Sequence, residues 1–413
     1  MKPSTRKSRA VKIAALSAAG AVIVLGGIGA ATAPQWLGAV NSTSPTGSSQ
    51  APTTQAPPAK PVQLTVAPLN GAKEVNPVTA PVVKAVNGTV KDVRLTPAKG
   101  TAVKGEYDAG NAQWKATEKL AFNTTYTLSY TAVDEAGGES RKSSTFTTVL
   151  TKNEANTTLV VGTLGDQIGA GQPIQLTFSE PVLDANKAGV QKAVKVTSSA
   201  GQKVKWHWYS DTVARIRPES YWTSGSTVTL DQQLFGVPFG NGQIGSFSKT
   251  TTFTVGPQRV AVMDGAAHTM RVYQDGKLVY SADAGMGGPE MPSPSGSAVI
   301  LEQQRVSHFR AESIGLKPGD PLYYAPTDVN YANRLTWSGV YVHETLPGGT
   351  QFIGNTNISH GCVGLLPKDA AWFFEHMKPG DVVQFKNTAG PPIRADEGFG
   401  DWNIPWAQYG NAK

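Results

Sequence analysis

Residues 270–280 read MRVYQDGKLVY, in which an Asp-Gly pair separates two runs of mixed apolar and polar residues. Asp275-Gly276 in this setting is a strong signal for the two-residue turn of a β-hairpin. The whole chain carries 44 glycines and 28 prolines, and only 16% of its residues are charged. This composition favours many short strands and turns over long helices. We therefore predict a mainly β protein.

A short helix and a strand are predicted to close the segment that contains this hairpin. Pro367 suits the first turn of a helix, and Pro379-Gly380 ends it before the apolar run at residues 382–385. The positions between them that have helical spacing are Ala370, Ala371, Phe374 and Met377. We assign residues 257–390 to this domain and residues 391–413 to a C-terminal extension.

Two tandem immunoglobulin-like β-sandwiches are predicted upstream, at residues 62–151 and 152–256. The sequence STFT at residues 144–147 closes the first, and TTFT closes the second 107 residues later. This spacing suits immunoglobulin-like domains, and neither segment contains a cysteine, so each depends on a hydrophobic core. Residues 206–209, Trp-His-Trp-Tyr, are interpreted as core and interface aromatics, with stacking on a sugar as the alternative.

The N-terminal residues 1–36 have the pattern of a signal peptide or a membrane anchor. Five cations, Lys2, Arg6, Lys7, Arg9 and Lys12, precede an uncharged apolar run at residues 13–33. Residues 37–61 are rich in Ser, Thr and Pro and are predicted to be a flexible linker. The chain is therefore expected in the bacterial cell envelope, outside the cytoplasm, either secreted or attached to the cytoplasmic membrane through an uncleaved segment.

The net charge of +7 does not indicate a nucleic-acid partner. Five of the seven charges belong to the N-terminal cations, which leaves 7 − 5 = +2 for the remainder. No later cluster of Lys and Arg is interleaved with aromatics in the way that a phosphate-tracking surface requires.

The predicted chemistry lies in two short stretches, GVYVH at residues 339–343 and SHGCVG at residues 359–364. On a strand, Tyr341 and His343 project from the same face. Cys362 is the only cysteine of the chain and has no internal disulfide partner. A buried apolar role is the alternative for Cys362, but His360 and Gly361 are poor neighbours in a core. A zinc site of Cys362, His343 and His360 lacks a fourth ligand, so we predict no metal and no cofactor.

Residues 257–390 resemble the YkuD-type L,D-transpeptidase catalytic domain, a β-sandwich or barrel with a short helix. The signature of that family is a His followed, some fifteen residues later, by Ser/Thr-His-Gly-Cys, and His343 and residues 359–362 match it. The paired sandwiches and residues 400–406, GDWNIPW, resemble the actinobacterial members. In that family the C-terminal extension packs on the catalytic domain.

The resemblance implies a cysteine acyltransferase that acts on peptidoglycan stem peptides. His343 would accept the proton of Cys362, and the thiolate would attack the third residue of a donor stem and release D-alanine. An acceptor stem would open the thioester and give a 3→3 crosslink. The catalytic set so implied also contains Glu344, whose backbone carbonyl orients the imidazole, and Ser359, His360 and Gly361, with the N–H groups of Gly361 and Cys362 stabilising the oxyanion.

The resemblance also implies substrate-binding positions at Tyr324, Tyr331, Ser338 and Gly339. Gly364 stands where relatives often carry Asn or Arg, and it removes a side chain from the acyl pocket, which is expected to affect substrate positioning more than the chemistry. Carbapenem β-lactams are expected as covalent inhibitors. Two other functions stay open on the sequence: an L,D-carboxypeptidase or exchange enzyme, and a non-catalytic scaffold that binds the cell wall.

Overall fold

The computed structural model describes residues 60–161, 163–164 and 166–410. The predicted signal or anchor and nearly all of the predicted linker lie outside the described residues. Within the described part, no helix is long and apolar enough to cross a membrane. The chain divides into two compact units, Met1–Leu150 and Thr151–Lys413.

The first unit is a β-sandwich of two four-stranded sheets. Its sheets have the orders β1-β3-β6-β5 and β2-β8-β7-β4. Alternate residues of these strands face inward, and Leu95, Trp114, Leu128 and Phe146 are buried between the sheets. Its strands are β1 (Gln63–Ala67), β2 (Ala72–Val75), β3 (Val82–Val86), β4 (Gly88–Pro97), β5 (Gly105–Tyr107), β6 (Gln113–Ala116), β7 (Thr125–Asp134) and β8 (Glu139–Thr148).

The second unit begins with another β-sandwich, whose sheets have the orders β10-β13-β16-β15, β11-β12-β20-β17-β14 and β18-β19-β9. Its centre is Trp222, which is fully buried and donates its indole N–H to the carbonyl of Gln172 at 2.8 Å. Its strands are β9 (Glu154–Ala155), β10 (Thr157–Val160), β11 (Thr163–Leu164), β12 (Gln167–Ile168), β13 (Ile174–Phe178), β14 (Val194–Ser198), β15 (Val204–Ser210), β16 (Val213–Pro218), β17 (Thr227–Gln233), β18 (Pro238–Gly240), β19 (Gln243–Gly245) and β20 (Ser248–Val255).

This sandwich also contains a helix that the sequence analysis did not predict, α1 (Asp184–Ala193). Val190 is its only buried residue. A helix that buries a single side chain has no apolar stripe to read, because helical periodicity needs several apolar positions on one face. A short 3₁₀ turn, Thr151–Asn153, opens the unit.

The rest of the second unit is built on a nine-stranded sheet of order β24-β29-β21-β22-β23-β28-β27-β26-β25. The predicted hairpin is present, and Asp275 (φ 50°) and Gly276 (φ 79°) are both left-handed, as the turn requires. The strands are β21 (Arg259–Asp264), β22 (Thr269–Gln274), β23 (Lys277–Gly285), β24 (Gly296–Val299), β25 (Glu302–Phe309), β26 (Thr327–Arg334), β27 (Tyr341–Glu344), β28 (Val363–Leu365) and β29 (Val382–Lys386).

The predicted helix is α2 (Pro367–His376), and it buries Ala370 and Phe373. Pro367 occupies the first turn, where its missing N–H costs no hydrogen bond. Short 3₁₀ turns lie at Ala311–Ile314, Pro347–Phe352 and Gly400–Asn403. The fold is mainly β, as the composition indicates.

The C-terminal extension packs against both the second sandwich and the nine-stranded sheet. Asp401 is fully buried and accepts from Arg215 of β16 at 2.8 Å and from the hydroxyl of Tyr209 at 2.8 Å. Asn403 donates to the carbonyl of Ser297 in β24 at 2.8 Å. The extension therefore connects two parts of the unit, whereas the resemblance implied packing on the catalytic domain.

The aromatic run at residues 206–209 also lies at this junction. Trp206 and Trp208 pack against the sandwich core, and the ring of His207 stacks on Tyr409 of the extension at 5.1 Å. These contacts support the interpretation as core and interface aromatics over stacking on a sugar.

Asp401→Asn is expected to lower the free energy of unfolding of the second unit by about 3–5 kcal/mol, because it leaves the Arg215 guanidinium buried without its carboxylate. The side chains of Arg215 and Asp401 are only 6% and 0% exposed. Urea denaturation followed by tryptophan fluorescence measures the loss. Asp396→Asn is the control, since Asp396 pairs with Arg394 at the exposed surface of the same extension. Equal stability losses in the two variants would contradict the prediction.

Candidate active site

A cavity of about 800 Å³ opens on the nine-stranded sheet. Its walls come from β25 and β26 with the loop between them, from the turn before β27, and from the segment between β27 and β28. The predicted site residues that line it are Tyr324, Ser338, Gly339, His343, Ser359, His360, Cys362 and Gly364. The structure thus brings together residues that are up to 40 positions apart in the sequence.

Parallel pairing of β27 with β28 places the imidazole and the thiol on neighbouring strands. Val342 pairs with Val363 and His343 with Gly364, so that Cys362 lies directly before β28. Val342 and Val363 are both fully buried, and their packing in the core fixes the register of the two strands. The alternation on β27 then directs His343 away from the core, as predicted.

The thiol of Cys362 is protonated at neutral pH. Burial raises its pKa to about 11, although a backbone hydrogen bond from Tyr341 to the sulfur opposes this rise. The S–H group is directed at the carbonyl oxygen of Gly339, at a sulfur–oxygen distance of 3.5 Å. Because the thiolate is the reactive form of a cysteine, this thiol would need a base in order to act as a nucleophile.

His343 has the features of that base. Its Nδ1 lies 2.7 Å from the carbonyl oxygen of Glu344, which can only accept, so we assign the proton to Nδ1 and a lone pair to Nε2. Burial lowers the pKa of His343, and the hydrogen bond to Glu344 opposes this shift. The ring of Phe309 packs edge-on against the imidazole at 5.3 Å. The resting pair is therefore a neutral thiol and a neutral imidazole.

The turn that carries Cys362 is held by the hydroxyl of Ser359. This hydroxyl donates to the carbonyl of Cys362 at 2.6 Å and accepts from the N–H of Gly361 at 3.2 Å. Gly361 has φ +110°, a conformation that favours glycine. The resemblance implied oxyanion stabilisation by the N–H groups of both Gly361 and Cys362, but the Gly361 N–H is already engaged within the turn.

His360 joins the turn that carries Cys362 to the loop that contains Leu322 and Tyr324. Its Nε2 donates to the carbonyl of Leu322 at 2.8 Å, and its ring packs against Tyr324 at 5.1 Å. Burial raises the pKa of Tyr324, and the negative charge of an ionised Cys362 raises it further. His360 therefore positions Tyr324 at the cavity, while its own ring is engaged with the loop.

Ser338 and Gly339 form the wall that faces the thiol. The N–H of Ser338 donates to the carboxylate of Glu397 in the C-terminal extension, which fixes this wall from behind. Gly339 has φ +101°, and this conformation directs its carbonyl toward Cys362.

Tyr331 is not brought to this cavity. Its backbone is left-handed (φ 53°), and its ring packs on Phe374 of α2 at 5.7 Å and under the guanidinium of Arg305 at 3.7 Å. The contact with α2 places Tyr331 on the other face of the sheet from the thiol. The substrate-binding role that the resemblance implied for Tyr331 therefore has no support in the geometry.

The space beside Gly364 is filled by Thr345, which the sequence analysis did not single out. A Cβ added at Gly364 would lie 2.2 Å from the hydroxyl oxygen of Thr345. That hydroxyl is buried without a hydrogen-bond partner in the structure and lies on the cavity wall. Thr345 therefore occupies the space that a side chain at position 364 would need.

Gly364→Ala is expected to cost about 1–3 kcal/mol in the free energy of unfolding, because the new methyl group overlaps Thr345. Urea denaturation measures the difference. The control is Gly348→Ala, since Gly348 lines the same cavity and an added Cβ there meets nothing within 4 Å. Adding Thr345→Ala to Gly364→Ala should recover part of the loss. A Gly364→Ala variant as stable as the control would refute this account of the wall.

The loop before Cys362 is also anchored by Asn357, which the sequence analysis missed. Its side-chain oxygen accepts from the N–H of Met286 at 2.9 Å and contacts Nδ1 of His268 at 3.0 Å, and its amide donates to Gly265 at 2.8 Å. A lone Asn between two predicted elements carries no signal of such a role. Among the described residues, no group of His, Cys, Asp or Glu side chains is arranged to hold a metal ion.

Comparison with known proteins identifies two family models in the chain. A bacterial Ig domain model matches residues 72–238, and an L,D-transpeptidase catalytic domain model, YkuD, matches residues 258–385.

Similar proteins come from Mycobacterium tuberculosis. L,D-transpeptidase 2 of strain CDC 1551 / Oshkosh is 33% identical over 356 residues, which cover 85% of this chain and 85% of that protein. L,D-transpeptidase 5 of strain H37Rv is 27% identical over 358 residues, 85% of this chain and 76% of that protein. A crystal structure of L,D-transpeptidase 3 in complex with a faropenem-derived adduct is 30% identical and covers 56% of this chain and 97% of that chain, with a TM-score of 0.46.

Proposed function

The chain belongs to the family of L,D-transpeptidases, and from that premise we propose that it forms 3→3 crosslinks in peptidoglycan through a thioester on Cys362. One observation supports the roles of the residues: the neutral thiol of Cys362 and the neutral imidazole of His343 lie on one cavity wall. Cys362 holds a proton that must leave, and His343 has a free Nε2 lone pair to receive it. This arrangement is that of a nucleophile with its general base.

The first half-reaction acylates the enzyme. His343 Nε2 takes the thiol proton as the sulfur attacks the carbonyl carbon of the third stem residue, a diamino acid. The N–H of Cys362 donates to the oxyanion that forms. The C–N bond to the terminal D-alanine then breaks, and the leaving amine takes its proton from the His343 imidazolium. An acyl-thioester and free D-alanine result.

The second half-reaction transfers the acyl group to an acceptor stem. The side-chain amine of its diamino acid attacks the thioester carbonyl and gives its proton to Nε2 of His343. The C–S bond breaks, and the sulfur recovers that proton as the thiol. One amide bond is lost and one is formed, so this sequence uses no oxidant, reductant or metal.

Carbapenems react at the same atom in this proposal. A β-lactam presents a strained amide whose carbonyl carbon accepts the Cys362 sulfur, and ring opening leaves an acyl-enzyme. Stem peptides are outside the cytoplasmic membrane, so we place the chain in the bacterial cell envelope. Residues 1–36, the predicted signal peptide or membrane anchor, lie outside the described residues.

Mass spectrometry of the full-length protein with a disaccharide tetrapeptide tests the proposal. We expect a covalent intermediate whose mass equals the protein plus the donor minus D-alanine, followed by muropeptide dimers. Accumulation of disaccharide tripeptide without dimers would identify a carboxypeptidase, and incorporation of an added D-amino acid alone would identify an exchange enzyme. A folded protein that gives neither intermediate nor product would support a scaffold that binds the cell wall.

A further inference from the structure

We propose that Ser293 is a positioning residue that directs the N–H of Cys362 toward the oxyanion. This inference rests on the proposed acyl transfer and adds a residue to it. Ser293 precedes β24, is only 1% exposed, and does not line the cavity. Its role would be exerted through the backbone of the nucleophile turn.

The direction of the Ser293 hydrogen bonds follows from their partners. The hydroxyl lies 2.9 Å from the N–H of Gly287, which can only donate, and 2.7 Å from the carbonyl oxygen of Gly361, which can only accept. The hydroxyl has a single proton. It must therefore accept from Gly287 and donate to Gly361.

This bond orients the peptide group between Gly361 and Cys362. The peptide is trans and planar, so its C=O and N–H point in opposite directions. With the carbonyl held against buried Ser293, the N–H of Cys362 points away from Ser293. Cys362 lines the cavity, whereas Ser293 does not.

The hydroxyl groups of Ser359 and Ser293 thus bind different backbone groups of Gly361. Ser359 takes the N–H of Gly361, so this group does not serve the oxyanion in the resting structure. Ser293 donates to the carbonyl of Gly361, which leaves the N–H of Cys362 as the donor directed toward the oxyanion. Both backbone groups of Gly361, which has φ +110°, therefore have assigned partners.

Close packing holds Ser293 in place. A Cβ on Gly287 would lie 2.3 Å from the Ser293 nitrogen, and a Cβ on Gly390 would lie 2.3 Å from its carbonyl oxygen. Pro292 and Pro294 flank it and restrict the backbone on both sides. The backbone of Ser293 is therefore held in place, which suits the preorganised stabilisation of an oxyanion.

Comparing acylation with alkylation of the same thiol tests the role. A carbapenem forms an S–C bond at a carbonyl and builds an oxyanion, whereas iodoacetamide forms an S–C bond at a saturated carbon and expels iodide. Ser293→Ala in the full-length protein is expected to slow acylation by imipenem by about 10- to 100-fold, somewhat less than the loss of a direct donor. Alkylation of Cys362 should stay within about twofold of the parent, because it involves no oxyanion.

Matched variants separate positioning from general damage. Ser226→Ala removes a buried hydroxyl that donates to Thr223 at 2.6 Å in the second sandwich, and it should leave both rates unchanged. Ser293→Thr and Ser293→Val differ mainly by the hydroxyl, so Thr should acylate faster than Val by a factor similar to the Ser-to-Ala loss. If Ser293→Ala fails to fold, this pair decides the question.

The inference is overturned if acylation is unchanged in Ser293→Ala, or if acylation and alkylation fall by the same factor. It is likewise overturned if the Thr and Val variants acylate at equal rates. Failure of the proposed function is a different result, since the parent protein itself would then form neither a carbapenem adduct nor a thioester with the stem peptide.

Discussion

Cys362→Ala is expected to form no covalent adduct with a disaccharide tetrapeptide or a carbapenem, and its crosslinking rate should fall by on the order of 10⁴-fold or more. Cys362 is the only cysteine in the chain, so no second thiol can replace it. The cavity that would bind the donor stem keeps its other walls in this variant. Intact-protein mass spectrometry and the yield of muropeptide dimers measure the two losses.

Cys362→Ser supplies the isosteric comparison. An alcohol is a weaker nucleophile than a thiol at neutral pH, so the serine variant should also lose nearly all crosslinking while binding the donor and unfolding at the same urea concentration as the parent. Dimer formation by Cys362→Ala at a tenth of the parent rate would show that another group carries the reaction. In that case the thiol would return to the alternative role of a small apolar residue.

The parts of the site that depend on local sequence could be predicted. The direction of the His343 side chain follows from the alternation on one strand, whereas its role as base is implied only by the family resemblance. The Asp275-Gly276 turn and the Pro367 helix start are set by backbone preferences of those residues. Cys362 stood out as an unpaired thiol beside two residues that seldom enter a core. Each of these inferences uses no more than a dozen neighbouring positions.

The contacts between residues that are far apart in the sequence could not be predicted. Ser293 meets Gly361 across 68 residues, and Asn357 meets Gly265 across 92. Neither contact leaves a periodic pattern, because each is a single hydrogen bond between loops. Tyr331 is the opposite case. It lies close in sequence to the predicted site residues, but its side chain is on the opposite face of the sheet.

Folding also sets the pKa values of Cys362 and His343, because it buries both side chains. Burial favours the neutral form of each group, so it raises the pKa of Cys362 and lowers the pKa of His343. A thiolate–imidazolium pair would need these shifts in the opposite directions. The cavity therefore keeps Cys362 in its protonated form, and the thiol becomes nucleophilic only while its proton moves to His343.

His343→Gln is expected to reduce the acylation rate at neutral pH by about 10²- to 10⁴-fold, because glutamine cannot take the thiol proton. In the parent, acylation should fall only as the pH drops through the His343 pKa, which lies below its ordinary value of about 6.5. Between about pH 7 and 9 the parent rate should be level, since the neutral base and the thiol are both present. Stopped-flow acylation by imipenem across this range gives the profile.

The variant should show a different slope. Without a base, acylation depends on the small fraction of free thiolate, which grows about tenfold per pH unit up to the raised pKa of Cys362. His376→Gln, an exposed imidazole on α2, is the control and should keep the level parent profile. A parent rate that declines above about pH 8 would instead indicate a resting thiolate–imidazolium pair, because such a pair loses its imidazolium proton as the pH rises. A level parent profile beside a rising variant profile therefore indicates a base that acts during attack, whereas a falling parent profile indicates a base that has already taken the proton.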